Sequence, residues 1–181
     1  MTVSTFYPDG DPETNSVDGY TQHDENPPGS TWATARDGAG TASSDIGVSQ
    51  LVSIRSTTTV NQWRTFNHIF LLFYTATLGD ADTKDSATLE FVVIARIDQF
   101  AQSVALVTTT PASNTALVNG DHLLMGTVDQ ATDRTLAGLT VDSATYNAMT
   151  LNATGLTNIS LTGVTKFGLR LTADADNVEP P

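Results

Sequence analysis

NQWRTFNHIFLLFYTAT, residues 61–77, separates an all-β chain from one with a buried helix. Its middle, Ile69 to Tyr74, is a continuous apolar run of six residues. Read as a helix, it would place aromatic and β-branched side chains around every side of a short cylinder. Read as a strand, the same residues suit a sheet that is buried on both faces. Polar turn residues at each end favour the strand. The run is far too short to span a bilayer as a helix.

The segments on either side carry strand signals as well. STWATAR (30–36) alternates Trp32, Thr34 and Arg36 against Ala33 and Ala35, which predicts a strand. GVSQLVSIRSTTTV (47–60) is rich in β-branched residues and predicts another. ATLEFVVIARI (87–97) places Ala87, Leu89, Phe91, Val93 and Ala95 on one face. QSVALVTTTP (102–111), AGLTV (137–141), ATYNAMTLN (144–152) and VTKFGLRLTA (164–173) read as further strands, and SVDGYT (16–21) as a short edge strand. Asn119-Gly120 signals a turn, with Asp121 placed to cap a short helical turn. ATGLTNISLTG (153–163) reads as a loop or one helical turn. The 30 threonines suit half-exposed strands. About eight strands, frequent turn signals and no long helical period predict an all-β fold, a single antiparallel jelly-roll β-sandwich over residues 30–181. Residues 1–29 are polar and turn-rich, and predict an extended N-terminal arm.

Composition narrows the function classes. The chain has 181 residues, 39% of them hydrophobic, enough for one substantial core. It has no cysteine, so neither disulfides nor thiolate metal sites are available. The net charge is −12, with 20 acids against 8 bases. Nucleic acid and anionic membranes are excluded as expected partners, since both are held by Lys and Arg. Of the acids 16 are Asp, and only 2 of the bases are Lys. That balance fits a halophilic or saline source, or an ordinary acidic surface that keeps copies apart. Met1 to Phe6 lacks the pattern of a signal peptide, so an extracellular protein would leave by another route, such as assembly into a virus particle followed by lysis.

Several motifs occur in a fixed order: SVDGYT, TWATARDGAGTASSD, QWRTFNHIFLLFYTATL with SATLEF, and YNAMTLNATGLTNISLTGVTKFGLRL. Over roughly residues 16–177 the chain resembles a jelly-roll domain of tailed-phage and environmental virus structural proteins. That domain is similar to DNRLRE-type domains and carbohydrate-binding modules. The block from Tyr146 to Leu171 carries the most specific part. Relatives usually continue past the acidic turn, here Ala173 to Asn177, into a glycine-rich loop and a last strand. The resemblance therefore implies either a sequence cut short or a strand supplied by a neighbour.

Catalytic signatures are missing, and no enzyme is expected. His23, His68 and His122 have no zinc-ligand spacing, and no G-x-S-x-G nucleophile elbow occurs. His68, within FNHIF, reads as a packed or hydrogen-bonded sheet residue. Three acidic groups are candidate structural calcium sites: Asp9, Asp11 and Glu13; Asp80, Asp82 and Asp85; and, ranked first, Asp174, Asp176 and Glu179. Equally, such groups serve as solvated turns. Trp32 and Tyr146 are candidates for glycan stacking, whereas Trp63 reads as core. Asn152 and Asn158 head N-x-S/T sequons.

Two function classes follow. The first is a virion surface protein (a capsid decoration, turret or head-fibre subunit) that binds other virion proteins, forms a homo-oligomer, a trimer first, and uses arm residues Phe6 and Tyr7 at an interface. The second is a glycan- or receptor-binding module that recognises a host glycan.

Overall fold

In the computed structural model the apolar run of residues 61–77 lies within a 12-residue strand at the centre of a large sheet. The structure describes residues 3–9, 11–25, 29–46 and 49–181. In chain order the strands are β1 (Asp18–Asp24), β2 (Ala42–Ser44), β3 (Ser53–Ser56), β4 (Trp63–Tyr74), β5 (Thr88–Val93), β6 (Ser103–Thr108), β7 (Arg134–Thr135), β8 (Asp142–Thr150) and β9 (Val164–Leu171). Three short helices are α1 (Trp32–Arg36), α2 (Ala153–Thr157) and α3 (Thr172–Ala175), with 3-10 turns at Asn119–Leu123 and Leu136–Gly138. No helix among the described residues is long and apolar enough to cross a membrane.

The architecture is an all-β sandwich, with nine antiparallel strands among the described residues. Seven form one sheet in the order β2-β1-β4-β9-β6-β7, with β3 on β4; β5 and β8 form the second sheet. One edge of β4 pairs with β1. Its other edge is shared end to end, Trp63 to Asn67 with β3 and Ile69 to Tyr74 with β9.

The large sheet is buried on both faces, which is why β4 reads as a continuous apolar run. Ile69, Leu71 and Phe73 join Phe167, Leu169, Val104 and Leu106 in packing on Leu89 and Met149 of the small sheet. On the opposite face Phe70, Leu72, Ala105 and Val107 are covered by Val17, Leu117, Met125 and Ala175. Alternation along one strand thus feeds two cores.

Some segments fold otherwise than their pattern predicts. Residues 32–36 form α1, not a strand. Thr31 caps it, its side chain accepting from the Thr34 N–H, and the buried pair is Trp32 and Ala35, three residues apart as on a helix face. AGLTV holds a 3-10 turn at Leu136–Gly138, where a strand was expected. Of 47–60, only Ser53–Ser56 is strand, and residues 47–48 lie outside the described part. SVDGYT contributes to β1, which is an interior strand between β2 and β4 and not an edge. Residues 18–24, assigned by sequence to the arm, therefore belong to the sheet. The acidic turn after β9 is α3, and Val178 N–H folds back to the Ala173 carbonyl at 2.9 Å.

Candidate functional site

Register builds the site. Thr21 of β1 pairs with His68 of β4, and Ala105 of β6 with Arg170 of β9. His68 and Arg170 lie one residue beyond the Ile69–Leu169 pair, so Thr21, His68, Arg170 and Ala105 form one row across four strands. The small Ala105 leaves room above the row for other side chains. Asp174, from α3, fills it. Its Oδ1 accepts from Arg170 Nη2 at 2.6 Å, and its Oδ2 accepts from Arg170 Nε at 2.9 Å. Oδ2 also lies 2.6 Å from His68 Nε2. Arg36, at the end of α1, donates from Nε to the Asp174 carbonyl at 2.9 Å.

His122, carried by the turn Asn119–Leu123, stacks on His68 with ring centroids 4.2 Å apart and planes 10° apart. His68 Nδ1 lies 3.1 Å from the His122 carbonyl. Both ring nitrogens of His68 therefore lie within hydrogen-bond distance of protein oxygens. His122 Nδ1 bonds the Thr21 hydroxyl at 3.0 Å, while its Nε2 is buried with no hydrogen-bond partner. His23 completes the group with its ring 6.2 Å from His122 and its nitrogens on the Ala39 carbonyl and Glu25. A Cβ on Gly38 would lie 2.2–2.6 Å from the His23 ring, so only glycine lets this loop close over the histidines.

The electrostatics follow from burial and pairing. Burial pushes the His122 imidazole down to about 3, helped by the charge of His68, so the ring is neutral near pH 7. For Asp174 burial acts upward, but the hydrogen bond and charge of His68, then those of Arg170, outweigh it and hold the carboxyl well below the usual range. The carboxylate is thus a fixed anion tying α3 to β4 and β9. A pocket of about 120 Å³ opens beside this network, lined by Arg36, Asp37, His68, His122, Leu123, Met125, Thr127 and Arg170. A second groove, of about 200 Å³, is polar and includes Asp24, Arg55, Arg64 and Asn67 in its lining.

Asp174, Asp176 and Glu179 are not brought together as ligands. Asp174 is spent on Arg170 and His68, Asp176 is exposed, and Glu179 accepts from Trp63 Nε1 at 2.6 Å. Asp9 accepts backbone N–H groups of Thr14, Asn15 and Ser16, and Asp82 that of Gly79, as turn-forming aspartates do. Among the described residues no group of three or more His, Asp or Glu is placed to hold a metal ion. Trp32 is buried edge-on against Trp63 and Phe66, its Nε1 donating to Asn177. Tyr146 is 64% exposed on β8. Phe6 is half-buried and Tyr7 exposed. The sequon side chains are engaged: Asn152 caps α2 and donates to the Asp129 carbonyl, and Asn158 donates to Gln130.

The convergence of all three histidines with Arg36 and Arg170 was invisible to spacing rules. One local signal pointed to it: Arg170 sits between Leu169 and Leu171 in an otherwise buried strand, where a guanidinium needs a partner. A different feature lies on the small sheet. Val92, Ile94, Val141 and Tyr146 are exposed on or beside the β5–β8 ribbon, and Ile97 follows at 84% exposure. No family model, no curated protein and no solved structure matches the chain.

Proposed function

We propose that the protein is a structural subunit of an assembled particle, a virion surface protein of the capsid-decoration, turret or head-fibre kind, and that it acts by binding other protein subunits. The observation carrying this reading is the apolar ribbon of the small sheet. Val92 and Tyr146 sit on, and Ile94 and Val141 beside, a two-stranded sheet whose outer edges have no strand partner among the described residues. Apolar side chains gathered at an open sheet edge suit burial against another chain. The arm adds a second contact, since Tyr7 is 75% and Val3 84% exposed. By contrast the basic cluster is occupied with holding the fold, because Asp174, His68 and Arg170 satisfy one another.

The test is a double substitution, Ile94→Asp with Tyr146→Asp, and separately Phe6→Ser with Tyr7→Ser. Both variants are expected to keep the wild-type melting temperature within a few degrees, yet to be depleted from purified particles by quantitative mass spectrometry. Full incorporation of both would defeat the proposal, as would absence of the wild-type chain from particles. A second reading, glycan binding, is favoured by the polar groove, where Asp24, Asn67, Arg55 and Arg64 meet and the buried Asn67 Oδ1 has no partner. A glycan array probed with wild type and Arg64→Ala separates this reading from the first.

A further inference from the structure

In a chain of net charge −12, two of the 8 Lys and Arg residues and all 3 histidines gather around one place. Guanidinium and imidazole donors gathered in a protein interior need acceptors to offset their desolvation. Asp174 offsets part of the group and is saturated in doing so. Asp37 is exposed, also lines the pocket, and accepts from Arg36 Nη1 at 2.7 Å. Arg36 Nη2 donates to nothing among the described residues.

His122 supplies the more telling atom. Its side chain is fully buried, it lines the pocket, and its Nε2 has no partner in the protein. Thr21 Oγ1 has no other partner among the described residues, so its one proton is free to donate to His122 Nδ1. With the Thr21 hydroxyl as donor, the ring's own proton stands on Nε2. A buried N–H donor without an acceptor costs free energy comparable to a lost hydrogen bond. His122 lines a cavity whose other polar lining residues are Arg36, Arg170, His68, the exposed Thr127 and Asp37, the last already paired with Arg36. At about 120 Å³ the space admits a small ion but not a sugar or nucleotide.

We propose that this pocket binds a small monovalent anion, a halide or a free carboxylate such as acetate, held by His122 Nε2–H and the guanidinium groups of Arg36 and Arg170. The anion supplies the acceptor that the buried donor lacks. Met125 and Leu123 form the apolar part of the wall, which weakens competition from water for a singly charged ion and disfavours a strongly hydrated dianion.

Thermal unfolding at fixed sodium concentration and fixed ionic strength tests this, with chloride, bromide or acetate replacing the bulky anion isethionate. The wild type is expected to show a saturable rise in Tm on going from isethionate to each small anion. His122→Phe keeps the stacked ring but removes the nitrogen, and is expected to lose the rise. Arg36→Gln serves as the second variant if His122→Phe does not fold, and is expected to need a several-fold higher anion concentration for half the effect. Bromide-soaked crystals are expected to give anomalous density between His122 and Arg36. No difference between chloride and isethionate in the wild type overturns the proposal. So does an equal rise in wild type and both variants, which would be a general salt effect. Neither outcome touches the particle-binding reading, which is scored by incorporation.

Discussion

Single side chains set how this protein responds to acid. His122 titrates near 3 in the fold, against about 6.5 in an unfolded chain. Its folded value is depressed, so the neutral ring's contribution is complete above about pH 6.5 and is lost as pH falls toward 3. Asp174, also depressed, acts in the same direction at lower pH. Asp133 opposes them: burial, then the charges of Asp129 and Asp176, push its carboxyl up to about 6. A raised folded value favours the protonated form, so this residue strains the fold above pH 6 and eases it as pH falls. Asp133 offsets His122 in part, and the net expectation is a loss on the order of 1 kcal/mol between pH 7 and 4. In Asp133→Asn, stability at pH 7 rises and the fall toward pH 4 steepens. Urea titrations at the two pH values measure both, and an unchanged or shallower slope in the variant would contradict the assignment.

Elements fix where those side chains stand, and α1 shows how. Its alternation of Trp32, Thr34 and Arg36 is what a strand would have, and period-two reasoning places it in the sheet. The Thr31 cap and the i, i+3 pair of Trp32 and Ala35 carry the helix, but five residues are too few for a periodic signal. Burial of Trp32 against Trp63 and Phe66 decides between the two. Helix α1 then delivers Arg36 to Asp174. Thr31→Ala is expected to cost about 1 kcal/mol, seen as a lower urea midpoint with an unchanged m-value. A neutral result would mean that tertiary packing alone holds α1. The strand β4 is the opposite case, because twelve residues of mixed aromatic and β-branched character left little choice.

Over the whole molecule, charge governs behaviour outside the core. With 20 acids and 8 bases the surface repels itself, and salt relieves that repulsion by shortening the Debye length from about 10 Å at 0.1 M to about 3 Å at 1 M. Tm is therefore expected to rise between these concentrations even in sodium isethionate, with chloride adding a saturable increment through the pocket. Differential scanning calorimetry in the two salts separates the contributions. A Tm that falls with added isethionate would show that attractive surface pairs outweigh the net repulsion. The same charge opposes contact between copies, so the association proposed for the β5–β8 ribbon would draw on its exposed apolar side chains.

Composition and short-range pattern were enough to establish the β character, the buried central strand, the absence of cysteine chemistry and the acidic surface. These follow from residue counts and from periods a few residues long, which any chain reports locally. The same pattern assigned Trp63 to the core, because an aromatic at the head of the most apolar strand has nowhere else to go. Tertiary packing was needed to make β1 an interior strand, to turn Trp32 inward, and to commit Asp174 to His68 and Arg170. Those outcomes depend on strand register between segments about 50 to 150 residues apart in the chain, and a shift of one residue would turn His68 to the other face of the sheet. The histidine and arginine cluster follows from that register: pairing of β4 with β9 sets His68 beside Arg170, and packing of α1 and the 119–123 turn brings Arg36 and His122 to the same pocket, with the His23 ring 6.2 Å from His122.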